Sequence, residues 1–137
     1  MRLIIDANRL MAGLLKDSVS RQIIHNDKFK FYSPDFVLEE IKKHKKYLIK
    51  KSKTTEDGFE ILLSMLRSRI SLITYEDMES EFDVAEKIME PIDIKDTPYL
   101  ATGLYIRADG IWSQDKGFLL QDKLRVYTTN ELYELIK

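Results

Sequence analysis

Short runs of apolar residues alternate along this chain with longer segments in which apolar residues recur every three or four positions. The short runs, at residues 3–5, 29–32, 71–74, 110–113 and 124–127, are typical of strands. The longer segments predict helices over residues 8–15, 19–25, 34–50, 57–68, 82–88, 98–106 and 131–136. Strands that alternate with helices predict an α/β sandwich with a mainly parallel central sheet.

Two of the predicted strands end on a carboxylate. The first strand leads directly into Asp6, and the strand that ends in Trp112 and Ser113 leads into Asp115. A charged group at a buried strand end is costly unless water or a cation reaches it. Because ligands of parallel sheets bind at the carboxyl ends of strands, both aspartates are candidate site residues. Asn8 is expected to cap the helix that follows Asp6.

A third acid comes from the predicted helix over residues 34–50, with Ser33 as its N-cap. At about 100° per residue, Glu40 lies roughly 70° from the centre of the apolar face, so it flanks the core and can line a cleft. Glu39 points away from the core and is expected in solvent. The simpler interpretation is that both are surface acids near a helix N-terminus, where negative charge is mildly favourable.

Asp93 and Asp96 precede the helix that begins near Pro98. Asp96 or Thr97 should cap this helix, and taken alone an aspartate there is more often a cap than a ligand. Asp93 is either a further site acid or a loop residue. Together, however, Asp6, Glu40, Asp96 and Asp115 form a set of carboxylates that needs a cation if they meet. Oxygen ligands without cysteine favour Mg²⁺ or Mn²⁺ over zinc.

Composition limits the possible classes of protein. The 137 residues fit one domain, 44% are hydrophobic, and there is no cysteine. The net charge of −1 predicts no general affinity for nucleic acid, so such binding needs a local patch. No apolar run is long enough to span a bilayer, and a cytoplasmic protein without membrane contact is expected.

Residues 41–53 provide such a patch, because they contain seven lysines directly after Glu40. This lysine segment is either a solvated surface or an arm that follows a phosphate backbone. Tyr47 within it could stack on a base, although a packing role is the more common one. The candidate substrate contacts are Lys43, Lys46, Lys50, Lys51 and Lys116.

Three segments carry a resemblance to a known family: LIIDANRLMAGLL, SPDFVLEEIKKH and DIKDTPYLATGLYIRADGIWSQDKGF. In their order along nearly the whole chain they resemble PIN domains, the metal-dependent nucleases that include VapC-like toxins of toxin–antitoxin pairs. The family pattern is an aspartate then an asparagine after the first strand, a glutamate before an aliphatic residue, an aspartate that opens a helix, and Ser/Thr-x-Asp after a strand. Its matches are Asp6, Asn8, Glu40, Asp96, Ser113 and Asp115.

The resemblance implies a three-layer PIN-like sandwich formed by a single domain over residues 1–137. It implies hydrolysis of RNA phosphodiester bonds with one or two Mg²⁺ or Mn²⁺ ions held by the four acids. Asn8 and Ser113 would orient the aspartates. The implied partners are an RNA substrate, an antitoxin protein if the chain is a toxin, and a second copy in a homodimer.

Other interpretations stay open at this point. The chain could be an RNA-processing nuclease that is not a toxin, or a non-catalytic RNA-binding or assembly module with the same fold. The complete set of four acids argues against the non-catalytic module. A phosphatase of similar α/β layout usually carries Asp-x-Asp after a strand, and here residue 8 is asparagine.

Overall fold

Five short strands form the central sheet. The computed structural model describes residues 1–15 and 18–137. The strands are β1 (Arg2–Ile5), β2 (Lys30–Pro34), β3 (Ile70–Ile73), β4 (Gly110–Trp112) and β5 (Val126–Tyr127). They lie in the order β3-β2-β1-β4-β5, and each neighbouring pair is parallel. The predicted α/β fold with a mainly parallel sheet is therefore confirmed.

The described residues also form eight α-helices and two short 3₁₀ helices. The α-helices are α1 (Ala7–Leu14), α2 (Ser18–Ile24), α3 (Val37–Lys43), α4 (Lys45–Ser52), α5 (Glu56–Arg67), α6 (Tyr75–Met89), α7 (Thr97–Ile106) and α8 (Thr129–Ile136). The 3₁₀ helices are Ile94–Asp96 and Lys116–Leu120. Within the described ranges, no helix has the length and apolar character needed to cross a membrane.

The sheet separates two hydrophobic cores. Leu3 and Ile5 of β1 pack into a core shared with α1, α2 and α5, whereas Ile4 faces a core shared with α6 and α7. Successive side chains of a strand point to opposite faces, so a strand covered on both sides must be apolar at every position. This is why residues 3–5 of β1 form a continuous apolar run and why the architecture has three layers.

The strand order places a ligand site between β1 and β4. From β1 the chain adds β2 and β3 on one side, then returns to place β4 on the other side. A crevice opens where the strand order reverses, at the carboxyl ends of the strands. Ile5 pairs in register with Trp112, so Asp6 and Ser113 leave the sheet side by side.

The single helix predicted over residues 34–50 is wrong. Strand β2 extends through Pro34, and the Ser33 hydroxyl donates to the Ile5 carbonyl at 2.9 Å instead of capping a helix. Sheet pairing outweighs the local capping signal, because Ser33 is fully buried between two strands. The helical segment is also divided into α3 and α4 at His44, whose amide donates to the Ile41 carbonyl at 3.1 Å.

Candidate metal centre

Asp6 is the first acid of the site and caps α1. Its Oδ1 accepts from the Arg9 amide at 2.9 Å, so the prediction that Asn8 caps this helix is wrong. The helix begins immediately after β1, which leaves no room for a cap further along the chain. Asp6 is only 6% exposed, and this burial raises its pKa above the ordinary value.

Ser113 connects Asp6 to Asp115. Its hydroxyl donates to Asp6 Oδ2 and accepts from the Asp115 amide at 2.9 Å. Asp115 in turn caps the second 3₁₀ helix, with its Oδ1 accepting from the Gly117 amide at 2.8 Å. The Ser-x-Asp spacing thus has a geometric reason, since one buried hydroxyl fixes the orientation of one aspartate and the backbone of the other.

Asp93 and Asp96 lie at the two ends of the turn between α6 and α7. Asp93 caps the first 3₁₀ helix, with its Oδ1 accepting from the Lys95 amide at 3.1 Å. Asp96 occupies the N-cap position of α7, yet its side chain makes no capping hydrogen bond. Its Oδ2 is buried and has no hydrogen-bond partner among the described residues. The Asp96 side chain therefore does not cap α7, contrary to the interpretation that it is a helix cap.

Helix α7 fixes Asp96 against the sheet by close packing. Seven of its ten residues are buried, from Thr97 at its start to Ile106 at its end. A Cβ atom at Gly103 would collide with Leu124 Cδ1, so a larger residue there would displace the Leu124 side chain. The N-terminus of α7, with its partial positive charge, then points towards the crevice.

The structure brings three of these carboxylates into one group. Ligand oxygens of Asp93, Asp96 and Asp115 all lie within 4.8 Å of one another. The resulting repulsion adds to the effect of burial. Burial first, then the charges of Asp93 and Asp115, raise the pKa of Asp96 from 3.8 to about 7. Three ionised carboxylates this close together are therefore unfavourable unless a proton or a cation offsets their charge.

The group opens into a pocket of about 270 Å³ that Asp6 and Glu40 also line. Neither belongs to the group of three. Asp93, whose role the sequence left open, is a member of that group, whereas Glu40 only lines the pocket beside it. Glu40 is half-buried and paired with Lys43 at 3.3 Å, whereas Glu39 is exposed, as the helical phase predicts. Asn8 lines the pocket, but among the described residues no hydrogen bond joins its side chain to an aspartate.

Three further polar residues line the pocket without having been predicted as site residues: Tyr99, His44 and Lys95. The Tyr99 hydroxyl accepts from the Ala7 amide at 3.2 Å, and burial beside the acids raises its pKa above the ordinary value, so it keeps its proton at neutral pH. Tyr99 lies three residues after Asp96 in α7, and residues three apart share a helix face. This spacing from Asp96 is the feature of the sequence that could have identified Tyr99 as a pocket residue.

The predicted lysine contacts differ in their surroundings. Lys43 is paired with Glu40, and the Lys51 ammonium donates to the Tyr47 hydroxyl at 3.0 Å. Lys46 and Lys50 are exposed on α4, and within the described ranges neither forms an ion pair. Lys116 is exposed directly after Asp115. By contrast Lys45, in the same segment, is held by Glu56 and Glu60 at 3.0 and 2.6 Å.

The residues present fit a divalent cation. The donors are all carboxylate oxygens, which Mg²⁺ and Mn²⁺ prefer over softer ligands. The buried oxygen of Asp96 without a partner is the strongest sign, because such an atom costs free energy until a cation or a proton satisfies it. Asp93, Asp96 and Asp115 would bind the ion directly, with Asp6 and Glu40 beside them in the pocket.

Comparison with known proteins agrees with this geometry. A family model described as PIN domain matches residues 4–134, which is nearly the whole chain. The chain belongs to the PIN domain family. PIN domains are in general metal-dependent nucleases, and the acidic group described above is of the kind that can hold their metal. A search of curated proteins finds no match.

Proposed function

We propose that this protein is a Mg²⁺- or Mn²⁺-dependent endoribonuclease. The observation that carries the proposal is the convergence of Asp93, Asp96 and Asp115 with one buried oxygen of Asp96 unpartnered. A bound ion would supply an activated water and stabilise the charge that develops on the phosphate and the leaving oxygen. The chain's own residues supply the ligand oxygens and fix their positions through Ser113 and the helix N-termini.

Positive charge for the RNA backbone comes from the lysine segment. This segment borders the acid pocket, because Glu40 precedes it and His44 within it lines the pocket. Lys46 and Lys50 are exposed and no carboxylate among the described residues engages them, so both ammonium groups are free to contact phosphates. The segment thus offers a local patch on a chain whose net charge is only −1.

The assay that tests this function uses the purified protein and a generic single-stranded RNA. We expect cleavage with Mg²⁺ or Mn²⁺ and no cleavage with EDTA. RNA binding without cleavage in either metal would favour the non-catalytic RNA-binding module. Cleavage that persists in EDTA would contradict a metal-dependent mechanism.

Within this class we propose a toxin of a toxin–antitoxin pair, with an RNA-processing nuclease as the alternative. The resemblance to VapC-like toxins supports the first role, and with it an antitoxin partner, a homodimer and a cytoplasmic location. A neighbouring gene for a small DNA-binding protein, together with growth arrest on induced expression, would favour the toxin. Normal growth with active enzyme in the cell would favour the processing nuclease.

The two adjacent glutamates give a specific prediction. Glu40→Gln should lower kcat/KM on RNA by at least about tenfold, because Glu40 lines the acid pocket and contributes negative charge near the ion. Glu39→Gln is the matched control, since Glu39 is exposed on the same helix. Its activity should equal that of the wild type. Equal losses in both variants would show that Glu40 has no special role.

A further inference from the structure

A second groove adjoins the acid pocket between α1 and α4. It measures about 320 Å³ and shares Asn8, Met11 and His44 with the acid pocket. We call it the α1/α4 groove. Because the same side chains border both cavities, the groove is within reach of a nucleotide that neighbours a phosphate held at the acids.

Tyr47 presents an aromatic ring at the mouth of the groove. The residue is 55% exposed, so it is not held by the core. It is held instead by its own helix, because the Lys51 ammonium donates to its hydroxyl at 3.0 Å and lies 5.5 Å from the ring centre. Met11 and Leu15 line the same groove with partly exposed apolar side chains. An exposed aromatic ring next to apolar side chains suits stacking of any base, since every base has a π face.

Arg9 supplies a cation on the α1 side of the groove. Its Nη1 donates to Thr129 Oγ1 at 3.3 Å, and its Nε is buried without an acceptor among the described residues. The guanidinium has five donors, so most of its hydrogen-bonding capacity is unused within the described part of the chain. An anion that reoriented this side chain would gain charge-assisted hydrogen bonds.

We propose that the α1/α4 groove binds the nucleotide next to the scissile phosphate, with its base stacked on Tyr47 and its own phosphate paired with Arg9. This subsite rests on the proposed nuclease function and deepens it. The arrangement explains why a half-exposed tyrosine and an under-used arginine border the same groove, one step from the acids. The base is contacted by stacking, which every base can provide. The subsite should therefore bind a nucleotide at one fixed position relative to the cleaved bond, without selecting a particular base.

The test pairs Tyr47 with the base it should contact. After the cleavage site is mapped, RNA oligomers carry an abasic ribose at each position that flanks it. Tyr47→Ala should lower kcat/KM on intact RNA by about 5- to 150-fold, which corresponds to the 1–3 kcal/mol typical of one stacked base. An abasic position beside the cleaved bond should cause a similar loss in the wild type and little further loss in Tyr47→Ala, because both changes remove one interaction.

Two variants serve as controls for Tyr47→Ala. Tyr47→Phe keeps the ring and should keep near wild-type activity. Tyr105→Ala removes a tyrosine of similar exposure, 43%, near the far end of α7 and should have no effect. Losses in Tyr105→Ala equal to those in Tyr47→Ala would mark general destabilisation and overturn the subsite.

A spectroscopic measurement separates stacking from catalysis. In an Asp96→Asn background, RNA with 2-aminopurine at the identified position should lose fluorescence on binding. Adding Tyr47→Ala should remove this quenching, and adding Tyr47→Phe should retain it. Quenching that persists in Tyr47→Ala overturns the base assignment.

Arg9 is tested by the salt dependence of RNA binding in the same background. Arg9→Gln should reduce the slope of log affinity against log salt by about 0.7, the value for one phosphate contact on single-stranded nucleic acid. Arg9→Lys should retain the slope. An unchanged slope in a folded Arg9→Gln variant overturns the phosphate contact.

The outcomes also distinguish this inference from the proposed function. Wild-type protein that does not cleave RNA in either metal contradicts the nuclease, and the subsite fails with it. Wild-type protein that cleaves RNA, with Tyr47→Ala cleaving equally well, leaves the nuclease intact and overturns the subsite alone. A groove that serves a protein partner instead would show this second result.

Discussion

Asp96→Asn should lower RNA cleavage by at least about a hundredfold while leaving the protein folded. The substitution keeps the size of the side chain and removes the one carboxylate whose buried oxygen has no partner among the described residues. That oxygen contributes nothing to capping α7, so its removal takes away the proposed metal ligand and no capping hydrogen bond. The measurement is kcat/KM on RNA in Mg²⁺ or Mn²⁺, with circular dichroism and thermal melting of the same preparations.

Asp83→Asn is the matched control, because Asp83 is exposed on α6. It should cleave RNA like the wild type. Wild-type activity in Asp96→Asn, in protein free of contaminating nuclease, would overturn the assignment of Asp96 to the metal centre. A large fall in melting temperature would instead show that Asp96 is structural.

Stability without metal should fall as the pH rises from about 4 to about 7. Burial and the neighbouring Asp93 and Asp115 raise the folded-state pKa of Asp96 from 3.8 to about 7. Between these values the folded state holds a proton that the unfolded state has lost, so each rise in pH favours unfolding. In EDTA, the melting temperature at pH 5.5 should therefore exceed that at pH 7.5, and Asp96→Asn should weaken this dependence.

A divalent ion should reverse the loss of stability at neutral pH. An ion that binds only the folded state, at a hundredfold excess over its Kd, adds about 2.7 kcal/mol, which is on the order of 10 °C in melting temperature for a domain of this size. Millimolar Mg²⁺ or Mn²⁺ at pH 7.5 should produce this shift in the wild type and a smaller one in Asp96→Asn. A wild-type melting temperature that ignores both ions up to tens of millimolar would contradict the metal centre.

The two stability effects share one cause and should appear together. Repulsion among Asp93, Asp96 and Asp115 destabilises the metal-free protein at neutral pH, and an ion or a proton relieves it. A variant that shows one effect without the other would separate the pH response from the metal response. That result would show that the protonation of Asp96 and the binding of metal do not depend on the same group of acids.

The sequence by itself determined the fold class and the family. Apolar runs that end on Asp6 and on Ser113-x-Asp115 need strands covered on both faces, and the intervening helical periods need a parallel sheet. These patterns can be recognised from short stretches of sequence, because a strand or helix face that is buried must itself carry apolar residues. The phase of α3, which separates Glu40 from Glu39, is predictable for the same reason.

Local signals failed where tertiary packing opposed them. Ser33 and Pro34 are good helix-starting residues, yet pairing with β3 holds both in a strand, and the Ser33 hydroxyl bonds to the Ile5 carbonyl of β1. Asn8 is a good cap, yet the connection from β1 to α1 is so short that Asp6 takes the role. A capping residue stabilises a helix by about 1 kcal/mol. Burial of a strand between two neighbours stabilises the fold by more than that.

Only the tertiary structure decided how the acids meet. Asp93 and Asp96 reach Asp115 because α7 packs tightly on the sheet and β4 lies beside β1. Distances between residues far apart in the chain follow from strand order and helix packing, which no spacing along the sequence records. The same holds for the α1/α4 groove, where Arg9 and Tyr47 face one cavity although they are 38 positions apart in the sequence. Residue types were therefore readable from the chain, whereas their arrangement around one pocket depends on long-range packing.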